Sequence, residues 1–358
     1  SPDLNVAQTN QIFALIGNRP LAAQGKFSVL LFLHNSVMGT FHTWTGPDDK
    51  TTTRSARFAI AERRCESGKL HFEKTTGYEL IRGNPTRLFS DRDGGIIADC
   101  TGRCESDNRC LGFNMDYNRN ECQSVTSTSE NNLFNLRPSS GVSYFEGICL
   151  NGRSCSALWT FERFIDKELR TNIRDTIRDV TKTQCEDLCL GENRFECRSA
   201  SYDHLLKECH LSVEDRHTSP ESFVAKQGTD YLENQCSSKE SRCDYTEQLR
   251  DQYLIYTDKV VEDAFSDSQC RSACTQESDF FCRSYTFRST SRPGTPQCLL
   301  SGDSTLSAGR NAFQIEGGAL YSEKNCFAQR RSDSSSRPVA RPQVRVFNFN
   351  SFLYILIF

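Results

Sequence analysis

The residue type best placed to do chemistry in this chain is cysteine, with 18 among 358 residues. The cysteines fall into three like series: Cys65, Cys100, Cys104, Cys110, Cys122 and Cys149; Cys155, Cys185, Cys189, Cys197, Cys209 and Cys236; Cys243, Cys270, Cys274, Cys282, Cys298 and Cys326. Thiols can form disulfides, hold a metal or act as nucleophiles. Even sets with none left over, and no Cys-x-x-Cys pair, point to disulfides and an oxidising compartment outside the cell. A zinc site can be drawn from Cys209 with His204, His210 and His217, but the equivalent Cys122 and Cys298 lack histidines, so one disulfide reading covers all three. The six histidines, at positions 34, 42, 71, 204, 210 and 217, share no place in the series. No Gly-x-Ser-x-Gly elbow, His-Glu-x-x-His pair or phosphate-binding glycine loop is present. The expectation is a protein that is not an enzyme and has no metal or cofactor.

The second and third cysteines of each set are four apart, which on a helix puts both sulfurs on one face. Thr181-x-x-Gln184 and Ser266-x-x-Gln269 read as capping boxes that start such a helix. After the fourth cysteine, apolar residues alternate at Phe113 and Met115, Ala200 and Tyr202, Tyr285 and Phe287, the period of a half-buried strand. Each set closes on Tyr-x-Glu-x-x-Cys: Tyr144 and Glu146, Tyr231 and Glu233, Tyr321 and Glu323. The tyrosine belongs to a closing strand, and the glutamate should answer a backbone or arginine partner. These features describe one α+β module of about eighty residues, a helix packed on an antiparallel sheet, present three times. Such a module is too small to be comfortably stable by apolar burial alone. Each bridge closing a loop of tens of residues adds roughly 3 to 4.7 kcal/mol in the chain-entropy model.

The modules span residues 65–149, 155–236 and 243–326. A leader, 1–64, carries a signal-like apolar run at Phe27 to Leu33 and is expected to be poorly ordered. Residues 327–358 form an Arg/Ser/Pro-rich linker, including Arg330-Arg331, and an apolar tail from Val346 to Phe358 that is too short to span a bilayer. The linkers between modules, Leu150–Ser154 and Ser237–Arg242, are short, which suggests a stiff string of three beads. Phe72-Glu73-Lys74 matches Phe161-Glu162-Arg163, so the opening strand recurs. The first helix has Gly94, Gly95 and Ile96 where the others have a cap, and its start should be the loosest. Trp159 and Phe161 are expected in the core of the second module. Lys plus Arg number 43 against 46 Asp plus Glu, a net charge of −3 that gives no footprint for nucleic acid. No Asn-x-Ser/Thr acceptor occurs.

The cysteine series, the Cys-x-x-x-Cys helix, the turns Cys197-Arg198-Ser199 and Cys282-Arg283-Ser284, and the Tyr-x-Glu-x-x-Cys ending resemble the PAN/apple module, from Cys65 to Cys326. Six cysteines allow fifteen pairings. The resemblance implies nested ones: Cys65–Cys149, Cys100–Cys122 and Cys104–Cys110; Cys155–Cys236, Cys185–Cys209 and Cys189–Cys197; Cys243–Cys326, Cys270–Cys298 and Cys274–Cys282. Tandem modules with Phe-Glu-Arg openings and Cys-Arg-Ser turns also resemble the N-terminal region of arthropod zona-pellucida-domain proteins of the apical extracellular matrix, the no-mechanoreceptor-potential-A type among them.

That resemblance implies a secreted, multivalent adhesion array in an apical matrix or cuticle, contacting matrix proteins, glycans or copies of itself. The polymerising domain and membrane anchor of that family are expected to lie outside this chain. Two alternatives stand beside it: a soluble, lectin-like glycan binder, and the non-catalytic region of a larger secreted protease. Arg198 and Arg283, each next to a fourth cysteine, are the candidate ligand-binding residues, facing an acidic glycan or a partner carboxylate. Alkylation of the intact protein should label no thiol before reduction and all 18 cysteines after it; two or more reactive thiols per unreduced chain would break the three-module reading.

Overall fold

The computed structural model describes residues 65, 67–82, 85–130, 135–238, 243–288 and 298–326. The leader and the C-terminal linker and tail, with the signal-like run and Arg330-Arg331, lie outside the described residues. The first module comprises β1 (Lys69–Leu80), β2 (Thr86–Ser90), α1 (Ile97–Ser106), β3 (Gly112–Asp116), β4 (Glu121–Val125) and β5 (Leu136–Leu150). The second repeats it as β6 (Phe161–Leu169), β7 (Ile173–Ile177), α2 (Lys182–Gly191), β8 (Ser199–Asp203), β9 (Glu208–Ser212) and β10 (Phe223–Asn234). The third has β11 (Asp244–Tyr245), β12 (Leu249–Leu254), β13 (Lys259–Val261), α3 (Asp267–Gln276), β14 (Ser284–Arg288), β15 (Cys298–Ser301), a one-turn α4 (Thr305–Ala308) and β16 (Phe313–Asn325). Strand order is the same in each: β2-β4-β3-β5-β1, β7-β9-β8-β10-β6 and β13-β15-β14-β16-β12, antiparallel throughout.

Local chemistry sets these elements. Thr181 caps α2 with a full capping box, its side chain accepting from Gln184 N–H while the Gln184 side chain accepts from Thr181 N–H. Ser266 caps α3 by accepting from Gln269 N–H, but the Gln269 side chain reaches the Phe265 N–H instead of the cap's own. The helix cysteines point down to the sheet: Cys185 is bonded to Cys209 on β9 and Cys189 to Cys197 just before β8, while Cys155–Cys236 ties the module's ends. The same three links recur as Cys65–Cys149, Cys100–Cys122 and Cys104–Cys110, and as Cys243–Cys326, Cys270–Cys298 and Cys274–Cys282. The alternating positions Phe113 and Met115, Ala200 and Tyr202, and Tyr285 and Phe287 are all buried against their helices.

Each first strand carries a bulge at a positive-φ residue, Gly77, Asp166 or Asp251. Asp166 accepts from the Gly228 N–H at 2.7 Å and Asp251 from the Gly318 N–H at 2.8 Å, satisfying the opposing strand where its pairing lapses. The first module has no such side chain at Gly77. Its orphan Gly141 N–H is met by the Tyr256 hydroxyl of the third module at 3.0 Å.

The modules do not form a string. β1 and β6, the first strands of modules one and two, lie edge to edge in parallel with Glu73 opposite Phe161 and Lys74 opposite Glu162, which makes one ten-stranded sheet. The third module keeps its own sheet but shares a hydrophobic core with the first, running from Phe72, Phe113 and Phe145 through Trp159 to Phe280 and Tyr285. Phe161 does pack in the second module's core. Trp159 does not: it stacks on Phe280 of the third module at 5.2 Å between ring centroids and meets Phe145 of the first edge-on at 5.9 Å. Short linkers therefore fold the chain back on itself, because Leu158 to Thr160 is a filler for a gap between other modules. The Leu158 N–H donates to the Asp279 carbonyl at 2.7 Å and the Thr160 N–H to the Phe72 carbonyl at 2.7 Å.

The α1 start is indeed without a side-chain cap, with Ile96 in the N-cap position. It is not left loose. Gly95, at φ +66°, brings the turn so close to β13 that a Cβ there would sit 2.5 Å from the Val260 nitrogen, and Ile96 is buried beneath it. The glycines serve the contact with the third module in place of a cap.

Candidate functional site: the buried junction of the modules

The recurring Phe-Glu-cation of the opening strands is the part of the sequence with the most electrostatic consequence. Lys74 is fully buried and donates to both oxygens of Asp258, at 2.9 and 3.0 Å, and pairs with Asp303 at 2.9 Å; both carboxylates belong to the third module. Its Nζ also lies 4.4 Å from the centre of the Trp159 ring. The Tyr117 hydroxyl and the Gly302 N–H complete the Asp258 shell at 2.9 and 2.8 Å. Burial alone would depress the Lys74 ammonium, but Asp258 and then Asp303 outweigh it and hold the group well above the usual lysine range. Burial opposes the Asp303 charge, and Lys74 overcomes it to keep that carboxyl below its ordinary value. Gly302 is dictated by the same packing, since a Cβ would come within 2.7 Å of the Trp159 ring.

Glu73, the neighbour of Lys74, points to the second module instead. It pairs with Lys182 at the start of α2 and with Arg163 at 3.4 Å. Arg163 in turn binds Asp230 at 2.6 Å and donates to the Ser129 hydroxyl of the first module at 2.9 Å. Burial works against the Glu73 charge, yet Lys182 and then Arg163 hold the carboxyl below its normal range. Within the second module, Arg216 bridges Glu162 and Glu233, each at 2.9 Å, over the Phe164 ring.

Glu233 is the glutamate of the Tyr-x-Glu closing motif, and the structure gives that motif a common task. The Tyr231 and Tyr321 hydroxyls donate to their own Glu233 and Glu323, at 3.1 and 2.7 Å. Glu146 accepts from the Ser129 N–H at 2.9 Å and Glu323 from the Thr305 N–H at 2.8 Å, so each ties down the loop beyond the fourth strand.

Arg198 and Arg283 hold equivalent backbone positions, each N–H donating to a serine carbonyl across the sheet, Ser212 and Ser301. Their side chains diverge, and each is engaged by carboxylates of the protein itself. Arg198, 13% exposed, lies 3.5 Å from Glu196 and from Asp215 of its own module. Arg283, 11% exposed, crosses to the second module and donates to Glu233 at 2.8 Å. The carboxylate it faces is therefore internal, because docking of the third module covers the strand end on which it stands.

Sequence reasoning did not single out Asp258, Asp303, Tyr117 or Tyr256, and it assigned Trp159 to the second module's core; none of the five belongs to the repeated pattern. One signal was available. In the position of Phe72-Glu73-Lys74 and Phe161-Glu162-Arg163, aligned on the bulges, the third module has Thr246-Glu247-Gln248, which is exposed. The motif thus marks the two edges that pair. Among the described residues no group of three or more His, Cys, Asp or Glu is arranged to hold a metal ion, and no helix is long and apolar enough to cross a membrane.

The PAN domain family matches residues 65–149, 155–236 and 243–326, and the chain belongs to that family, in three disulfide-rich modules each with a helix packed on strands. Over 106 residues it is 28% identical to Protein let-653 of Caenorhabditis elegans, a stretch that is 28% of this chain and 13% of that relative's length. Among solved structures it is similar to the two N-terminal apple domains of Toxoplasma gondii microneme protein 4, with 14% identity, a TM-score of 0.20, and coverage of 49% of this chain and 94% of the other.

Two outcomes follow from the buried charges. Lys74→Met leaves Asp258 and Asp303 buried without a cation and should lower unfolding stability by about 3 to 5 kcal/mol, with partial recovery on adding Asp258→Asn and Asp303→Asn; denaturant titration of the variants would measure it. His217, 13% exposed, lies among Arg283, Arg216 and Glu233, and desolvation followed by the two arginines pushes its imidazole well below the usual histidine value. The unfolded chain then binds a proton on this residue below about pH 6.5 that the folded chain refuses, so stability is lost as pH falls from 7 to 5. His217→Gln should flatten that fall by up to about 1.4 kcal/mol per pH unit; equal slopes for the two proteins would contradict it.

Proposed function

We propose that this protein is a non-enzymatic, extracellular binding array that makes protein or glycan contacts in an apical extracellular matrix, as part of a zona-pellucida-domain type of matrix protein. PAN domains imply protein or carbohydrate binding. The nine disulfides suit an extracellular, oxidising setting. The matrix assignment draws on the Phe-Glu-Arg openings and Cys-Arg-Ser turns described above.

The observation that carries the reading is the fusion of three binding-type modules into one body by buried ion pairs and a shared core. Independent beads on a string gain avidity through effective concentration. A fused body instead offers fixed surfaces, some of them composite, to a partner that is itself held in place. Such a part suits a scaffold whose components must stand at set distances.

The test is retention of the full purified chain on washed apical matrix, before and after periodate oxidation or protease treatment of the matrix. Retention that falls severalfold after either treatment is expected: loss to periodate marks a glycan partner and loss to protease a protein one. No retention above that of a fully reduced and alkylated control would overturn the proposal.

A further inference from the structure

Docking of the third module on the first creates a cleft that neither module has alone. It has a volume of about 200 Å³ and lies between the β3–β4 hairpin and pre-α1 turn of the first module and strands β12, β14 and β16 of the third. Its lining is mostly polar, with the buried Leu299 and Ile255 among the apolar residues that contribute to it. Its rim is rich in side-chain amides, Asn118 and Asn120 on one side and Gln314 on the other, with Arg92 beside them.

The hydrogen bonds within the wall determine what it offers. The Tyr253 hydroxyl donates to Gln314 Oε1 at 2.5 Å, which leaves the Gln314 amide N–H groups to donate elsewhere. Asn120 spends its Nδ2 on the Arg92 carbonyl at 3.0 Å and keeps its oxygen as an acceptor. The Asn118 side-chain amide offers both a donor and an acceptor. The second cation of the wall, Arg288, is already paired with Glu316 at 2.9 Å, and Asp93 stands next to Arg92 on the rim, so the cleft has no strong charge preference.

Neutral hydroxyl groups both donate and accept, and amide side chains answer them in both senses. The volume is below the roughly 300 to 1,000 Å³ of pockets for drug-sized ligands, which limits the guest to about one ring. We propose that this cleft binds a single neutral pyranose unit of a glycan, its hydroxyls on Asn118, Asn120 and Gln314. The inference rests on the glycan-binding arm of the function proposed above and assigns that arm a place.

Saturation-transfer NMR and titration of the full chain with the methyl glycosides of glucose, galactose and N-acetylglucosamine test it. At least one glycoside should bind, and Asn118→Ala and Gln314→Ala, both at exposed positions, should each weaken it by roughly threefold to tenfold, the worth of one lost hydrogen bond. Binding that both variants retain in full would overturn the cleft assignment and leave glycan binding standing elsewhere on the body. Failure of all three glycosides, with matrix retention preserved, would overturn the saccharide inference alone; failure of retention as well would remove the functional reading beneath it.

Discussion

The assembly depends on one buried ammonium. Lys74 lies over the ring of Trp159 and pairs with Asp258 and Asp303, so its partners come from the second and third modules. A lysine removed from water is costly unless paired and hydrogen-bonded. The chain meets that cost with the third module folded back over the first. Buried ion pairs of this kind contribute modestly to net stability against an apolar replacement but penalise wrong arrangements strongly. Here the wrong arrangement is the open string that short linkers would otherwise allow.

The second constraint is the edge of the sheet. Each PAN module has its first strand on an open edge, and an unpaired edge is available to any other strand. Modules one and two resolve this by pairing β1 with β6, and the Glu73 and Arg163 side chains that follow the shared phenylalanine lock the pair through Lys182 and Asp230. The third module's equivalent edge has Thr246, Glu247 and Gln248, with Arg250 and the bulge at Asp251 beside them. Exposed polar side chains and a bulge are the usual means of keeping such an edge from pairing at random.

Departures from the repeat are where the modules meet. Gly77 replaces the bulge aspartate and passes the Gly141 N–H to Tyr256; Gly95 replaces a helix cap and admits β13; Tyr117, at the place of His204 in the second hairpin, supplies a hydroxyl to Asp258. In each case a local rule is broken in one copy and satisfied by a residue of another. The repeat thus describes the module, and its exceptions describe the assembly.

The sequence by itself determined the modules: the spacing of Cys185 and Cys189 on one helix face, the Thr181 capping box and the alternation of Ala200 with Tyr202 are all contacts within a few residues or within one repeat. Repetition in three copies made that pattern legible, because chance does not keep register across so many positions. Only the tertiary structure decided where Trp159 goes, that Arg283 pairs with Glu233 of another module, and that the beads close into one body. Those outcomes join residues far apart in the chain, such as Lys74 with Asp258, and each occurs once. A contact made once between unlike modules leaves no periodic trace, and burial of its charges is a property of the docked surfaces that no single segment carries.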